Sequence, residues 1–275
     1  MKRFVLISNP KRDPGLQLRA RIREYISLHG GNAITDDEIS GTLPAGTDAI
    51  LVLGGDGTLL RAVHKYGDAG VPFLGINTGN IGYLTAGNAD NAEPILDHLL
   101  QDAYETESRM MLQGCIFQDG RAVSRHRGLN DVVISRTDSL KLIRLNVYVN
   151  GNYLCQYRAD GLIAATPTGS TAYSFSAGGP IVEPTANLFV LTPIASHSLN
   201  NRSIVMSPSD RIEVEIADTA SYSDDLQCDV FFDSEKPQKL LPGDRVEISQ
   251  ASTCISLIKL NNQSFIDTLR IKLSD

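Results

Sequence analysis

The chain of 275 residues has no apolar stretch approaching the length of a membrane-spanning helix. It has no surplus of positive charge either, with 25 Lys and Arg against 32 Asp and Glu and a formal net charge of −7. That balance argues against a general binder of nucleic acid or of a membrane surface, while leaving room for local basic pockets. Cysteine is scarce, and Cys115, Cys155, Cys228 and Cys254 lie far apart without metal-ligand spacing. They are expected to be reduced structural cysteines of a cytoplasmic protein. The apolar run after Lys2-Arg3 is too short for a signal-peptide core and ends at Asn9-Pro10. Internal repeats and low-complexity linkers are absent. The length leaves room for two domains with real cores.

The first hundred residues alternate strand and helix signals. "FVLIS" (4–8), "AILVL" (49–53) and "VPFLGIN" (71–77) read as buried strands. Between and after them "GLQLRARIREYISLHGG", "TLLRAVHKYG" (58–67) and "AEPILDHLL" (92–100) read as helices, the first with Leu18, Ile22, Tyr25 and Ile26 on one face. This alternation predicts a parallel sheet covered by helices. From about residue 104 the segments become short, β-branched and often alternating, with Asn150-Gly151-Asn152 as a hairpin turn between "LNVYV" and "YLCQY". They predict a β-sandwich. The segment "SFIDTLRIKL" (264–273) is helical again, with Phe265, Leu269 and Leu273 expected to pack on a domain surface.

The stretch "LVLGGDGTLLRA" (51–62) ends a buried strand in Gly54, Gly55, Asp56, Gly57 and Thr58. Glycines between strand and helix let a backbone approach an anion. The spacing matches neither a dinucleotide fingerprint nor a nucleotide P-loop. A carboxylate beside a phosphate is unfavourable unless it takes a proton or meets a metal. Asp56 is therefore a candidate base or metal partner in phosphoryl transfer. The plainer alternative is a tight turn in which Asp56 caps the next helix.

Three further segments carry polar chemistry. "FLGINTGNIGYLT" (73–85) sets Asn77, Thr78, Asn80 and Thr85 among glycines before Tyr83, whose ring offers a stacking face or a core contact. "LNDVVIS" (129–135) places Asn130 and Asp131 before a strand, as a grip for two ribose hydroxyls or as a common turn pair. "RADGLIAATPTGSTAYSFSAGGPIVEP" (158–184) is a hydroxyl-rich, small-residue loop suited to a base and ribose, or an ordinary surface loop.

"GGDGT" resembles the signature shared by NAD kinases, the diacylglycerol and sphingosine lipid kinases and, more distantly, phosphofructokinases. "DGLIAATPTGSTAYSFSAGGPIV", "GINTGNIGYLT", "LTPIASHSLNNRSIV" (191–205) and "FIDTLRIKL" are similar, in order, to motifs of the NAD kinase family. The resemblance implies an N-terminal Rossmann-like α/β domain over 1–103, completed by about 255–275, and a mainly β NAD-binding domain over 104–254. It implies phosphoryl transfer from ATP, or from inorganic polyphosphate, to the 2′-hydroxyl of NAD, with Mg or Mn as divalent metal.

Residue by residue, the resemblance makes Asp56 the proton acceptor and Gly54, Gly55, Gly57 and Thr58 the phosphate-side loop. Gly57, Arg61, Tyr83, Asn130, Asp131, Lys141, Arg158 and Asp160 fall at NAD-contacting positions. Thr168, Thr171, Ala172, Tyr173, Ser174, Phe175 and Ser176 would line adenine and nicotinamide. Asp131 stands where Glu is usual and Tyr83 where Phe is commoner. "FFDSEKPQ" (231–238) is only distantly similar to the family's D-G-Q turn. The family's assemblies imply a homodimer or homotetramer, with no nucleic-acid or membrane partner. A lipid or sphingoid-base kinase and an NAD-sensing module without chemistry are the rival readings. The first should need a broad apolar acceptor cavity and the second should have lost Asp56.

Overall fold

The computed structural model describes residues 1–79, 82–137, 141–197, 201–217, 228–260 and 264–274. The chain divides into two compact units, Met1–Arg109 with Ile255–Asp275, and Met110–Cys254.

The first unit opens with β1 (Arg3–Ser8), α1 (Gln17–Leu28), β2 (Asn32–Thr35), β3 (Ala49–Leu53), α2 (Asp56–Tyr66), β4 (Phe73–Asn77), β5 (Gly87–Asn88) and α3 (Ala92–Leu100). The middles of β1 and β4 and all of β3 are apolar and buried, as befits a parallel sheet covered by helices. Their order is β4-β3-β1-β2, with all neighbours parallel. The loops after β1, β3 and β4 therefore all emerge at one edge. Helix α1 buries Ile22 and Ile26, and α3 buries Ile95, Leu96 and Leu99, in one core with Leu6, Leu51, Leu53 and Leu74. Asp13 is buried and caps α1, its carboxylate accepting the N–H groups of Leu18 and Arg19 at 3.0 Å each. Gly30, at φ 80, closes the same helix in the left-handed conformation that glycine adopts without strain.

The second unit is antiparallel. It holds most of β6 (Glu105–Gln118), then β7 (Arg121–Gly128), β8 (Asp131–Arg136), β9 (Ile143–Val149), β10 (Asn152–Ala159), β11 (Gly161–Ala165), the short α4 (Tyr173–Ser176), β12 (Phe189–Ile194), β13 (Ile204–Met206), β14 (Ile212–Ile216), β15 (Cys228–Phe232), β16 (Gln238–Leu240) and the first part of β17 (Arg245–Lys259). One sheet runs β13-β12-β11-β8-β15-β16, and another layer runs β10-β9-β14-β17. Val132, Ile134, Leu162 and Val230 of the former meet Leu145, Val147, Val214 and Val246 of the latter in one core. This is the expected sandwich. Asn150 and Gly151, at φ 51 and 78, make the tight turn between β9 and β10.

α5 (Phe265–Leu273) belongs to the first unit. Its expected stripe is corrected. Thr268 is the buried residue of this helix, while Leu273 is 58% exposed. Phe265 and Leu269 are half-buried, and Leu273, the last residue of the helix, is left uncovered. α2 begins at Asp56, two residues earlier than the sequence pattern suggests.

Candidate active site

Two of the glycines around Asp56 have distinct physical reasons. A Cβ on Gly54 would stand 2.5 Å from the hydroxyl of Thr58, so only hydrogen fits. Over Gly55 nothing approaches within 4 Å, so the backbone there is open to an incoming group. Gly55, not Asp56, is the N-cap of α2, and Asp56 takes the first helical position.

The Asp56 carboxylate faces away from its own helix start. Oδ2 accepts the backbone N–H of Tyr83 at 3.0 Å and Oδ1 that of Leu84 at 3.1 Å. A Cβ on Gly82 would overlap this carboxylate, which explains the glycine before Tyr83. The loops after β3 and β4 are thus tied by one acid. The helix-capping alternative for Asp56 is replaced by this cross-loop grip. A carboxylate offers about four lone-pair positions, so acceptor capacity remains on Asp56 after two hydrogen bonds.

Thr58 is buried, and its hydroxyl receives Asn9 Nδ2 at 3.4 Å and the Arg61 guanidinium at 3.3 Å. Arg61 is thereby held at the glycine loop. Tyr83 is partly buried, with its ring 6.4 Å from that of Phe265. The cavity beside the two rings measures about 30 Å³, room for a water and not for a base. An adenine stacked on Tyr83 would have to use its other side. Asn77 is buried and Thr85 accepts the Gly82 N–H at 3.3 Å, so both shape the loop, while Asn80 lies outside the described residues.

In the second unit Asn130 and Asp131 sit at the head of β8. Asp131 is 3% exposed, and its side chain makes no hydrogen bond to another described residue. Burial, with the nearby charge of Asp233, pushes its carboxyl up to about 7. The backbone of this pair is gripped from two sides. Asp233 accepts the N–H groups of Leu129, Asn130 and Asp131 at 2.6, 2.7 and 3.1 Å. Thr166 donates its hydroxyl to the Leu129 carbonyl at 2.5 Å and its N–H to the Asn130 carbonyl at 2.8 Å. A Cβ on Gly169 would overlap that same Asn130 carbonyl. The pair and the Thr168–Thr171 turn therefore form one rigid assembly. Asp233 was missed from the sequence. Its only signal there is one acid in a turn only distantly like the family's, and its effect depends on a fold that brings residues 129 and 233 together.

The remaining loop residues divide by exposure. Tyr173 and Phe175 are 45% and 44% exposed, and Ser176 is exposed beside them. Ser174 is buried and hydrogen-bonds with Thr192 at 3.1 Å, so its hydroxyl ties the loop to β12. Thr168 is buried, Thr171 donates to the Thr168 carbonyl at 3.1 Å, and Ala172 is half-buried. Asp160 is engaged by Arg136, Nε to Oδ1 at 2.7 Å and the fork's second arm at 3.4 Å, a pairing the sequence did not reveal. Arg158 and Lys141 are exposed, and both have polar partners. Residues 198–200 of "LTPIASHSLNNRSIV" lie outside the described residues.

Residues 7–104 match the family model of the ATP-NAD kinase N-terminal domain, and residues 129–260 match that of the ATP-NAD kinase C-terminal domain. The chain belongs to the NAD kinase family. An NAD kinase of Agathobacter rectalis is 42% identical over 285 residues, covering 100% of this chain and 99% of that protein. An NAD kinase of Lachnospira eligens is 38% identical, covering 99% of this chain and all of the other. Among solved structures, an Archaeoglobus fulgidus NAD kinase in complex with ATP shares 26% identity at a TM-score of 0.76, covering 99% of this chain and 98% of that one. Yeast NADH kinase complexed with NADH, at 23% identity and a TM-score of 0.83, covers 98% of this chain and 86% of its own, and shows the fold. Both family models fall on the segments carrying Asp56 and the Asn130–Asp131 pair. The lipid-kinase and sensing-module readings gain no support from these matches.

Proposed function

We propose that the chain transfers the terminal phosphoryl group of ATP to the 2′-hydroxyl of the adenosine ribose of NAD, with Asp56 as proton acceptor. The observation that carries this reading is the Asp56 carboxylate, fixed by the Tyr83 and Leu84 N–H groups at the mouth of an open glycine loop. In the transfer the ribose oxygen bonds to the terminal phosphorus and the bond to the bridging oxygen of the donor breaks. The hydroxyl proton passes to a free lone pair of Asp56, and ADP carries away the bridging oxygen's charge. The barrier is lowered by orientation and charge placement more than by covalent chemistry. A positioned base contributes on the order of 10²–10⁴-fold.

On the NAD side, Asn130 and Asp131 would hold ribose hydroxyls, and Thr168, Tyr173, Phe175 and Ser176 would face the rings. Arg158, Lys141 and the Arg136-engaged Asp160 would stand further along the dinucleotide. Ser174 supports this loop from behind through Thr192. Among the described residues no group of three or more His, Cys, Asp or Glu is arranged to hold a metal ion. A magnesium or manganese ion would arrive with the donor phosphates, the usual habit of magnesium at such sites, and would supply charge neutralisation there. No helix of the described residues is long and apolar enough to cross a membrane. The family resemblance extends the reading to a cytoplasmic homo-oligomer. Purified protein with NAD, ATP and Mg²⁺ should produce NADP, and a preparation that binds NAD yet makes none would sink the reading.

A further inference from the structure

A cavity of about 400 Å³ opens in the first unit between the loop after β1 and the loop after β4, lined among others by Arg12, Arg21 and Thr78. Because β1, β3 and β4 are parallel neighbours, this cavity lies at the same carboxyl edge as the Gly54–Gly57 loop. In open parallel sheets ligands bind at that edge, where the chain connections diverge to the two sides. Here the connection from β1 goes to β2 on one side, while β3 sits on the other. The loop after β1 is fixed to the glycine loop, since Asn9 donates its N–H to the Leu53 carbonyl at 3.1 Å and its amide to Thr58 at 3.4 Å.

The chemistry of the lining is that of an anion site. The Arg12 guanidinium makes no hydrogen bond or ion pair with any described residue. It is held over the loop after β4, 3.3 Å from where a Cβ on Gly79 would stand. The Thr78 hydroxyl on the same wall is buried without a hydrogen-bond partner, an expense that a ligand oxygen would remove. Arg21 donates one N–H to the Ala89 carbonyl at 2.8 Å and keeps the rest of its fork. Of the two acids present, Asp13 is engaged in capping α1, and Asp90 is exposed. Two planar guanidinium forks and a hydroxyl match a chain of phosphate oxygens better than a single carboxylate. The volume exceeds what one phosphate needs.

We propose that this cavity is an oligophosphate subsite that holds the phosphoryl donor's phosphate chain, with Arg12 as its main contact. The proposal rests on the phosphoryl-transfer reading for its role, though the anion site itself stands on the geometry of Arg12, Thr78 and the cavity. It names a contact on the loop after β1, a segment outside the motif resemblance. The phosphate chain of ATP and a run of inorganic polyphosphate present the same oxygens, so either could be the source.

The test compares wild-type protein with Arg12→Gln and Arg12→Lys. Loss of a charged hydrogen-bond donor should raise the KM for the donor about tenfold or more in Arg12→Gln, with the KM for NAD unchanged and Arg12→Lys recovering part of the loss. Separate arms with ATP and with polyphosphate show which source occupies the site. Binding of inorganic tripolyphosphate, followed by calorimetry without NAD, should weaken to a similar degree in Arg12→Gln. Wild-type KM for both donors in Arg12→Gln overturns the proposal, as does a parallel rise in the KM for NAD. If wild-type protein makes no NADP but binds tripolyphosphate through Arg12, the kinase reading fails and the anion site stands.

Discussion

The carboxylate of Asp233 accepts the backbone N–H of Asn130 at 2.7 Å, from a turn more than a hundred residues away in the chain. Together with the bonds from Leu129 and Asp131 it makes a small nest of N–H groups around one buried acid. Asp233 itself sits at φ 48 and Ser234 at φ 60, a left-handed pair held in place by these bonds. Asp233→Ala would leave those N–H groups without an acceptor. It is expected to lower stability by roughly 2–4 kcal/mol and to raise the KM for NAD at least severalfold, with kcat at saturating NAD much less affected. Urea unfolding and steady-state kinetics would read both. A folded variant with wild-type KM would separate the nest from the ribose grip.

Asp56→Asn retains shape while removing proton acceptance. Turnover should fall by at least about a hundredfold with NAD still bound. The amide can still accept one of the two N–H groups, so the loop after β4 should remain ordered enough for calorimetric NAD binding. Turnover near the wild-type level would remove Asp56 from the chemistry.

Asp131 gives a pH dependence with a definite sign. Its folded carboxyl is pushed up to about 7 by burial and by Asp233, above the ordinary carboxylate value. A raised acid favours the folded state below its unfolded pKa and loses that contribution as pH rises through the folded one. Wild-type stability should therefore gain less, or fall, between about pH 4 and 7 relative to Asp131→Asn, which carries no such charge. The variant should be the more stable at pH 8, by roughly 2–4 kcal/mol at most, with the difference shrinking at pH 4. Urea midpoints at the two pH values decide it, and a difference that grows toward acid would reverse the assignment.

Tyr83 contributes its backbone to Asp56 and its ring to Phe265. Tyr83→Phe keeps both and should be nearly silent in kinetics. Tyr83→Ala removes a stacking surface worth about 0.5–1.5 kcal/mol and should raise the KM for NAD. Nicotinamide mononucleotide, which lacks the adenine, should not register the change. A folded Tyr83→Ala protein with unchanged KM for NAD would place the adenine elsewhere.

What the sequence determined by itself was the layout and the place of one carboxylate, Asp56, among glycines at the end of a buried strand. The apolar run "AILVL" between turn signals reads as a covered strand, and "TPTGSTAYS" as a hydroxyl-rich connection, which the fold winds into the Thr168–Thr171 turn and the start of α4. Short β2, with Asn and Ala in its four residues, carried too weak a pattern to be read. The sequence could not say where the Asp56 carboxylate points, because its hydrogen-bond donors lie 27 and 28 residues away. It could not rank Ser174 apart from Ser176, since one is buried against Thr192 and the other faces out. Nor could it show that Asp160 is claimed by Arg136, or that Asp233 holds Asn130 in place. Hydrophobic periodicity is a local property and survives in one dimension. Hydrogen-bond partnership and burial depend on which distant segments the sheets bring side by side, and only the folded chain decides that.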